Sequence, residues 1–334
     1  MKIALIGAGR IGHLHGRLIA EQPGIEVVVT DVDTERAKTV AAEIGGQFAP
    51  DPEAAFKGAD AVIVAASTDA HATLVLAAVD HGLPVFCEKP LAFDLEETID
   101  VVERVDRART VVHVGFQRRF DPAYVEARSR VESGAMGTVY LVRLIAHDHE
   151  PPPDDYIPRS GGLFRDSSIH DFDALRWVTG VEVAEVYAVG SVRGFPIFAQ
   201  FDDVDTAAVI LTLADGTLGV LGQTRHDPVG YDIRMEIVGS RDSISVGSGP
   251  QAPIRSLEAD APAPTDPWST FLTRFEAAYR AELLAFLRVA RGEIPSPCTA
   301  RDGLEAMRIA IAAGRSRVQG RAVRLSEVAT APLA

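Results

Sequence analysis

Asp166 and His170 stand four residues apart in GGLFRDSSIHDFD (161–173), a spacing that suits proton transfer. If the stretch is helical, Asp166, His170, Asp173 and Trp177 fall on one stripe. Phe172, Leu175 and Val178 lie on other faces, which predicts a largely buried helix carrying a line of ionisable groups. Burying an aspartate and a histidine is costly unless they are paired or used. A carboxylate one turn from an imidazole can fix its tautomer and support its charged form, as a general base requires. The competing explanation is a hydrogen-bonded core histidine beside a helix-start aspartate. Lys89, in Glu88-Lys89-Pro90, is the second candidate. An ammonium fixed at a buried strand end can stabilise a developing alkoxide and take part in proton transfer. The alternative is a surface pair with Glu88, worth little.

The elements that must position these groups start at residue 2. KIALI (2–6) is a short apolar run that opens into Gly7-Ala8-Gly9-Arg10-Ile11-Gly12. A helical pattern follows, then a second apolar run over 25–30 that ends at Asp31. This strand, turn, helix and strand are the context a G-x-G-x-x-G match needs before it is read as a dinucleotide site. The glycines permit a tight turn and close approach of the backbone to a pyrophosphate at the helix N-terminus. An acid closing the second strand accepts ribose hydroxyls and repels a 2′-phosphate, so Asp31, with Asp33 nearby, predicts NAD over NADP. Arg36 weighs slightly the other way, as a cation able to tolerate a phosphate. Buried strands at 61–66, 84–87 and 111–116 alternate with helices at 70–81 and 95–109. Such alternation predicts an α/β fold, with a doubly wound parallel-sheet (Rossmann) domain over 1–120. Ligands in these sheets sit at the carboxyl ends of the strands. Three polar stretches are expected there: Ser67-Thr68-Asp69-Ala70-His71, Glu88-Lys89-Pro90 and Gln117-Arg118-Arg119.

From residue 121 the pattern changes. After a helix at 122–133, strand signals at 138–146, 183–191, 204–213, 217–224 and 232–238 are interrupted only by the 161–179 helix. Strands without alternating helices predict an α+β domain over 121–334, with a large, mostly antiparallel or mixed sheet. Residues 248–267 read as a loop, and helices at 268–291 and 299–316 are expected to pack back on the first domain. The Pro-rich connection 147–160 carries His147, His149, Asp155 and Tyr156, a possible polar wall for a hydroxylated substrate. Histidines two apart with Glu150 lack a convincingly spaced third ligand, so no metal is expected. The 334 residues suit about two domains, and 47% hydrophobic with 24% charged residues is ordinary globular composition. A net charge of −14 argues against nucleic acid or an anionic membrane as partner. Cys87 and Cys298 have no metal-ligand spacing and suit a reducing cytoplasm.

GAGRIG at the start, EKP at 88–90, GFQRRFDP at 115–122 and GG-x3-D-x3-HD-x-D at 161–173 together resemble the glucose–fructose oxidoreductase / inositol dehydrogenase (Gfo/Idh/MocA) family over nearly the whole chain. DYIPRSGGLFRDSSIHDFD (155–173), GYD (230–232) and TRFEAAYRAEL (273–283) resemble its NAD-dependent inositol 2-dehydrogenase branch. The resemblance implies a catalytic trio of Lys89, Asp166 and His170, with Asp173 behind it as support. It implies oxidation of a cyclitol hydroxyl, myo-inositol to 2-keto-myo-inositol, with another epimer, a pyranose, a keto-sugar or a non-catalytic NAD-sensing regulator as alternatives. Cofactor contacts are expected from Gly7, Ala8, Gly9, Arg10, Ile11, Gly12, Asp31, Ser67, Thr68, His71, Glu88, Lys89 and Gln117. Substrate contacts are expected from Lys89, Gln117, His147, Tyr156, Asp166, His170, Tyr231 and Tyr279. Ser67-Thr68 departs from the proline-threonine of many relatives. A homodimer or homotetramer is a further expectation of the resemblance.

Overall fold

In the computed structural model, residues 1–258 and 260–329 are described. They form two compact units. The first comprises Met1–Gln117 with Ala277–Glu305, and the second Arg118–Glu276 with Ala306–Ala329.

The first unit runs β1 (Lys2–Ile6), α1 (Arg10–Ala20), β2 (Glu26–Thr30), α2 (Thr34–Glu43), β3 (Gln47–Phe48), α3 (Pro52–Phe56), β4 (Ala61–Val64), α4 (Thr68–Asp80), β5 (Val85–Glu88), α5 (Leu95–Ala108) and β6 (Val112–Gly115). All strand pairings are parallel, in the order β3-β2-β1-β4-β5-β6. The reversal beside β1 makes the cleft at the strand ends where ligands bind in such sheets. β4, β5 and β6 are buried along their whole length because helices cover both faces. The short α2, β3 and α3 lie between β2 and β4, where no element was expected. Asp33 and Asp51 cap α2 and α3 by accepting the amides of Arg36 and Ala54.

The second unit contains α6 (Pro122–Glu132), β7 (Val139–His147), α7 (Ile169–Thr179), β8 (Val183–Ser191), β9 (Thr206–Leu213), β10 (Leu218–Thr224), β11 (Asp232–Gly239) and β12 (Ser243–Val246). The chain closes with α8 (Phe271–Ala290), α9 (Ala300–Gln319) and the two-residue β13 (Val323–Arg324). The sheet order is β12-β11-β7-β10-β9-β8-β13. β7 and β10 are parallel and every other pair is antiparallel, so the sheet is mixed. Alternate residues, among them Val142, Leu144, Val209, Leu211, Met235 and Ile237, point into the core. Phe172, Leu175 and Val178 of α7 are buried with them.

One expectation needs correcting. Residues 161–179 are not one regular helix: a π turn over Phe164–Ser168 precedes α7. Gly161 and Gly162, at φ +80° and +89°, lead into it. A π turn holds an extra residue and marks functional sites more often than chance. Asp166 sits within this turn and His170 within regular α-helix, so the evenly ruled stripe of the sequence pattern is broken between them.

Candidate active site

The Gly-rich turn has the shape its sequence implies. Gly7 lies at φ +100°, and a Cβ there would come within 2.5 Å of the Ala65 backbone, so only glycine fits. At Gly9, by contrast, a Cβ would meet nothing within 4 Å, which leaves the start of α1 open to a ligand. Among the described residues no side chain caps α1, and no acid lies in its first turn, so its N-terminal amides suit a pyrophosphate. Asp31 directly follows β2 with its carboxylate fixed: Ala8 N donates to Oδ2 at 2.6 Å and Asp33 N to Oδ1 at 2.8 Å. Arg36 adds bonds from Nη2 to Oδ1 (2.6 Å) and Nε to Oδ2 (3.3 Å). Burial pushes the Asp31 pKa up, but the Arg36 and amide hydrogen bonds outweigh it and hold the carboxyl below its usual range. These features fit the adenosine and pyrophosphate of NAD.

At the neighbouring strand ends Ser67 is exposed and Thr68 and Lys89 half-buried, while Gln117 is buried with an Oε1 that has no partner among the described residues. Such an orphaned acceptor suits a ligand donor. His71, expected at the cofactor, is 1% exposed. Its Nδ1–H donates to Pro90 O at 2.7 Å, and Nε2 lies 3.2 Å from Ala66 O. Burial lowers its pKa, so a neutral imidazole ties the two strand-end turns together. Glu88 is not at the surface either. It turns inward to His15 of α1, whose Nε2 lies 2.6 Å from Glu88 Oε1. Nothing in the sequence pattern singled out His15, although it shares the buried face of α1 with Gly12, Gly16 and Ile19. Tyr279, expected near substrate, belongs to this first unit and packs edge-on against His15 with ring centroids 5.8 Å apart.

In the second unit Asp166 is nearly buried and held on both oxygens. Tyr156 donates its hydroxyl to Oδ1 at 3.0 Å, and Arg225 Nη2 donates to Oδ2 at 2.8 Å. His170 is half-buried, one turn further along. The helix carrying it is clamped by two arginines that were expected at the ligand. Arg118 donates to Asp171 at 2.5 Å, and Arg119 grips Asp173 through Nε (2.9 Å) and Nη2 (2.6 Å). All four side chains are buried, so Asp173 supports α7 through Arg119. Ser167 and Ser168 bond the Gln223 side chain, anchoring the π turn to β10. Tyr231 is buried against Phe275, and burial pushes its phenol pKa up. Asp155 faces solvent and pairs with Arg159.

His147 ends β7 with Nδ1 at 3.4 Å from Asp227 and 3.9 Å from Asp232. These three could surround a cation. Asp232, however, already takes a two-pronged pair from Arg234 at 2.8 Å on each oxygen. A guanidinium in that position opposes a metal ion.

The two units carry the two halves of one signature. Residues 1–116 match the oxidoreductase family with an NAD-binding Rossmann fold, and residues 124–245 match the GFO/IDH/MocA C-terminal domain. The chain belongs to the GFO/IDH/MocA family. It is an NAD-dependent oxidoreductase, as the Gly-rich turn and Asp31 imply. Similar members of the family include the myo-inositol dehydrogenase Hyg17 of Streptomyces leeuwenhoekii, 39% identical over 96% of this chain and 98% of that one. The scyllo-inositol 2-dehydrogenase (NAD(+)) of Bacillus subtilis is 34% identical over 97% and 96%. Among solved structures of the family, a myo-inositol dehydrogenase from Corynebacterium glutamicum superposes with TM-score 0.89 at 35% identity, covering 97% of this chain and 98% of that one.

Proposed function

We propose that the chain is an inositol 2-dehydrogenase that oxidises myo-inositol to 2-keto-myo-inositol (scyllo-inosose). The observation that carries this is Asp166: a buried carboxylate fixed on both oxygens, one turn before His170, in a family member whose similar relatives are named for inositols. His170 takes the proton from the ring hydroxyl. Asp166 orients the imidazole and supports its positive charge, and Lys89 binds the reacting oxygen and stabilises its developing negative charge. Gly7–Gly12, Asp31 and Gln117 hold the cofactor, and NAD⁺, when bound, supplies the hydride acceptor. General-base assistance of this kind contributes about 10²–10⁴ in rate.

Gln117, His147, Tyr156, Tyr231 and Tyr279 are assigned to the substrate side. The 147–156 segment sets which epimer fits, and the likeness to a scyllo-inositol enzyme makes scyllo-inositol the second substrate to test. NADH formation with NAD⁺ or NADP⁺ and a panel of myo-, scyllo- and D-chiro-inositol, D-glucose and D-xylose is the test. Turnover of myo-inositol with NAD⁺ supports the assignment, whereas silence on all cyclitols with NADH binding intact sinks it.

The outer face of the second unit's sheet carries exposed Tyr187, Val189, Ile210, Leu218 and Val220 on adjacent strands. An apolar patch of this kind marks an interface, and we assign it to a second copy of the chain in a homo-oligomer. Two buried cysteines, Cys87 and Cys298, support a cytoplasmic setting.

A further inference from the structure

Arg225 follows β10 directly, with its backbone amide on Asp205 O at 2.7 Å and its side chain 4% exposed. Burying a guanidinium is unfavourable unless it is paired, and an apolar side chain of similar size is often as stabilising there. This one joins three segments. Nη2 donates to Asp166 Oδ2 at 2.8 Å and Nη1 to Asp148 Oδ2 at 3.2 Å, while Tyr156 holds the other Asp166 oxygen. Asp148 and Tyr156 both come from the Pro-rich connection, and Asp166 from the π turn. Asp166 thus sits in a two-point clamp, a phenol on one oxygen and the Arg225 guanidinium on the other, and the same guanidinium reaches Asp148.

We infer that Arg225 is a positioning residue for the dehydrogenation: it fixes the Asp166 carboxylate in the orientation His170 needs and ties the 147–156 segment to it. The inference rests on the trio proposed above. A carboxylate that can rotate or drift to solvent no longer holds an imidazole in one tautomer. Charge and reach are what the position demands, because Asp148 and Asp166 are two acids sharing one cation. Arg225 itself contacts neither the substrate nor the cofactor in this account, so its loss should lower kcat and leave NAD⁺ binding alone.

The experiment is a double-mutant cycle between Arg225→Gln and Asp166→Asn, with Arg225→Lys as the conservative variant. Turnover of myo-inositol, KM for NAD⁺, NADH binding and melting temperature are read for each. Arg225→Gln should lower kcat about 30-fold or more with KM for NAD⁺ within about twofold, and Arg225→Lys should recover most of the loss. In the Asp166→Asn background the same Arg225→Gln change should cost less than about threefold, because its effect runs through the missing carboxylate. Full additivity, or Arg225→Gln turnover within about threefold of the parent, overturns the inference. Where Arg225→Gln fails to fold, Arg225→Lys decides: a loss that persists undiminished in the Asp166→Asn background overturns it, and one that disappears supports it. Asp166→Asn alone separates the two claims: wild-type turnover in that variant removes Asp166 from the trio and the role of Arg225 with it, whereas a large loss there beside an Arg225→Gln effect under about threefold overturns the role of Arg225 and leaves the trio standing.

Discussion

Asp166 accepts a hydrogen bond on each oxygen, from Tyr156 and from Arg225, which fixes the orientation of its carboxylate one turn before His170. Lys89 is the other end of the proposed chemistry, and its loss should separate binding from turnover. Lys89→Ala is expected to reduce kcat by at least about 10²-fold while NADH binding, followed by fluorescence, stays near wild type. Retained turnover would remove the lysine from the trio. Asp31 is assigned a different property, the choice of cofactor. Its carboxylate, held below the usual carboxylate range, is ionised at neutral pH, and such an acid would repel a 2′-phosphate. Asp31→Ser should lower kcat/KM for NAD⁺ about tenfold and narrow the preference over NADP⁺, because Arg36 is then released from its partner. An unchanged preference would show that the acid does not select the cofactor.

At the scale of elements, α7 is a buried helix fastened by two arginine–aspartate pairs. Breaking such a pair leaves an uncompensated buried charge, so Asp173→Ala should cost about 3–5 kcal/mol in denaturant melts. A cost under about 1 kcal/mol would mean that Arg119 finds another partner. Asp205 holds the turn after β8 by accepting the amides of Arg193, Gly194 and Phe195. Burial raises its pKa, but those amides outweigh it and the folded value lies below the ordinary 3.8. A depressed acid contributes stability above its unfolded pKa and loses it as pH falls through the folded one. Asp205→Asn should therefore be less stable than wild type at neutral pH, with a gap that closes below pH 3.8. A gap constant with pH would contradict that.

The strands and long helices were legible because hydrophobic period is a local property, and the Gly-rich turn because it sits between a strand and a helix. The partners were not. Arg118 and Asp171 are 53 residues apart, Arg225 and Asp166 are 59, and His15 and Glu88 are 73. No spacing rule reaches across such separations. The π turn escaped for another reason: a 3.6-residue period has no way to express an inserted residue.

For the whole molecule, the outward face of the mixed sheet is the feature with consequences. Ile210 of β9 pairs directly with Val220 of β10 and Tyr187 of β8. If the proposed homo-oligomer forms through this face, Val220→Lys with Ile210→Glu should shift it to monomer in sedimentation, since charges at the centre of an apolar contact are rarely accommodated. A wild-type mass for that variant would locate the interface elsewhere. Among the described residues no helix is long and apolar enough to cross a membrane. The proposed oxidation breaks one bond to carbon, the C–H at the carbon bearing the axial hydroxyl of myo-inositol. It is tested most directly by supplying myo-inositol deuterated at C2 with NAD⁺ and analysing both products. Deuterium in the NADH, with 2-keto-myo-inositol as the other product, is the predicted result; unlabelled NADH, or oxidation at another ring carbon, would contradict it.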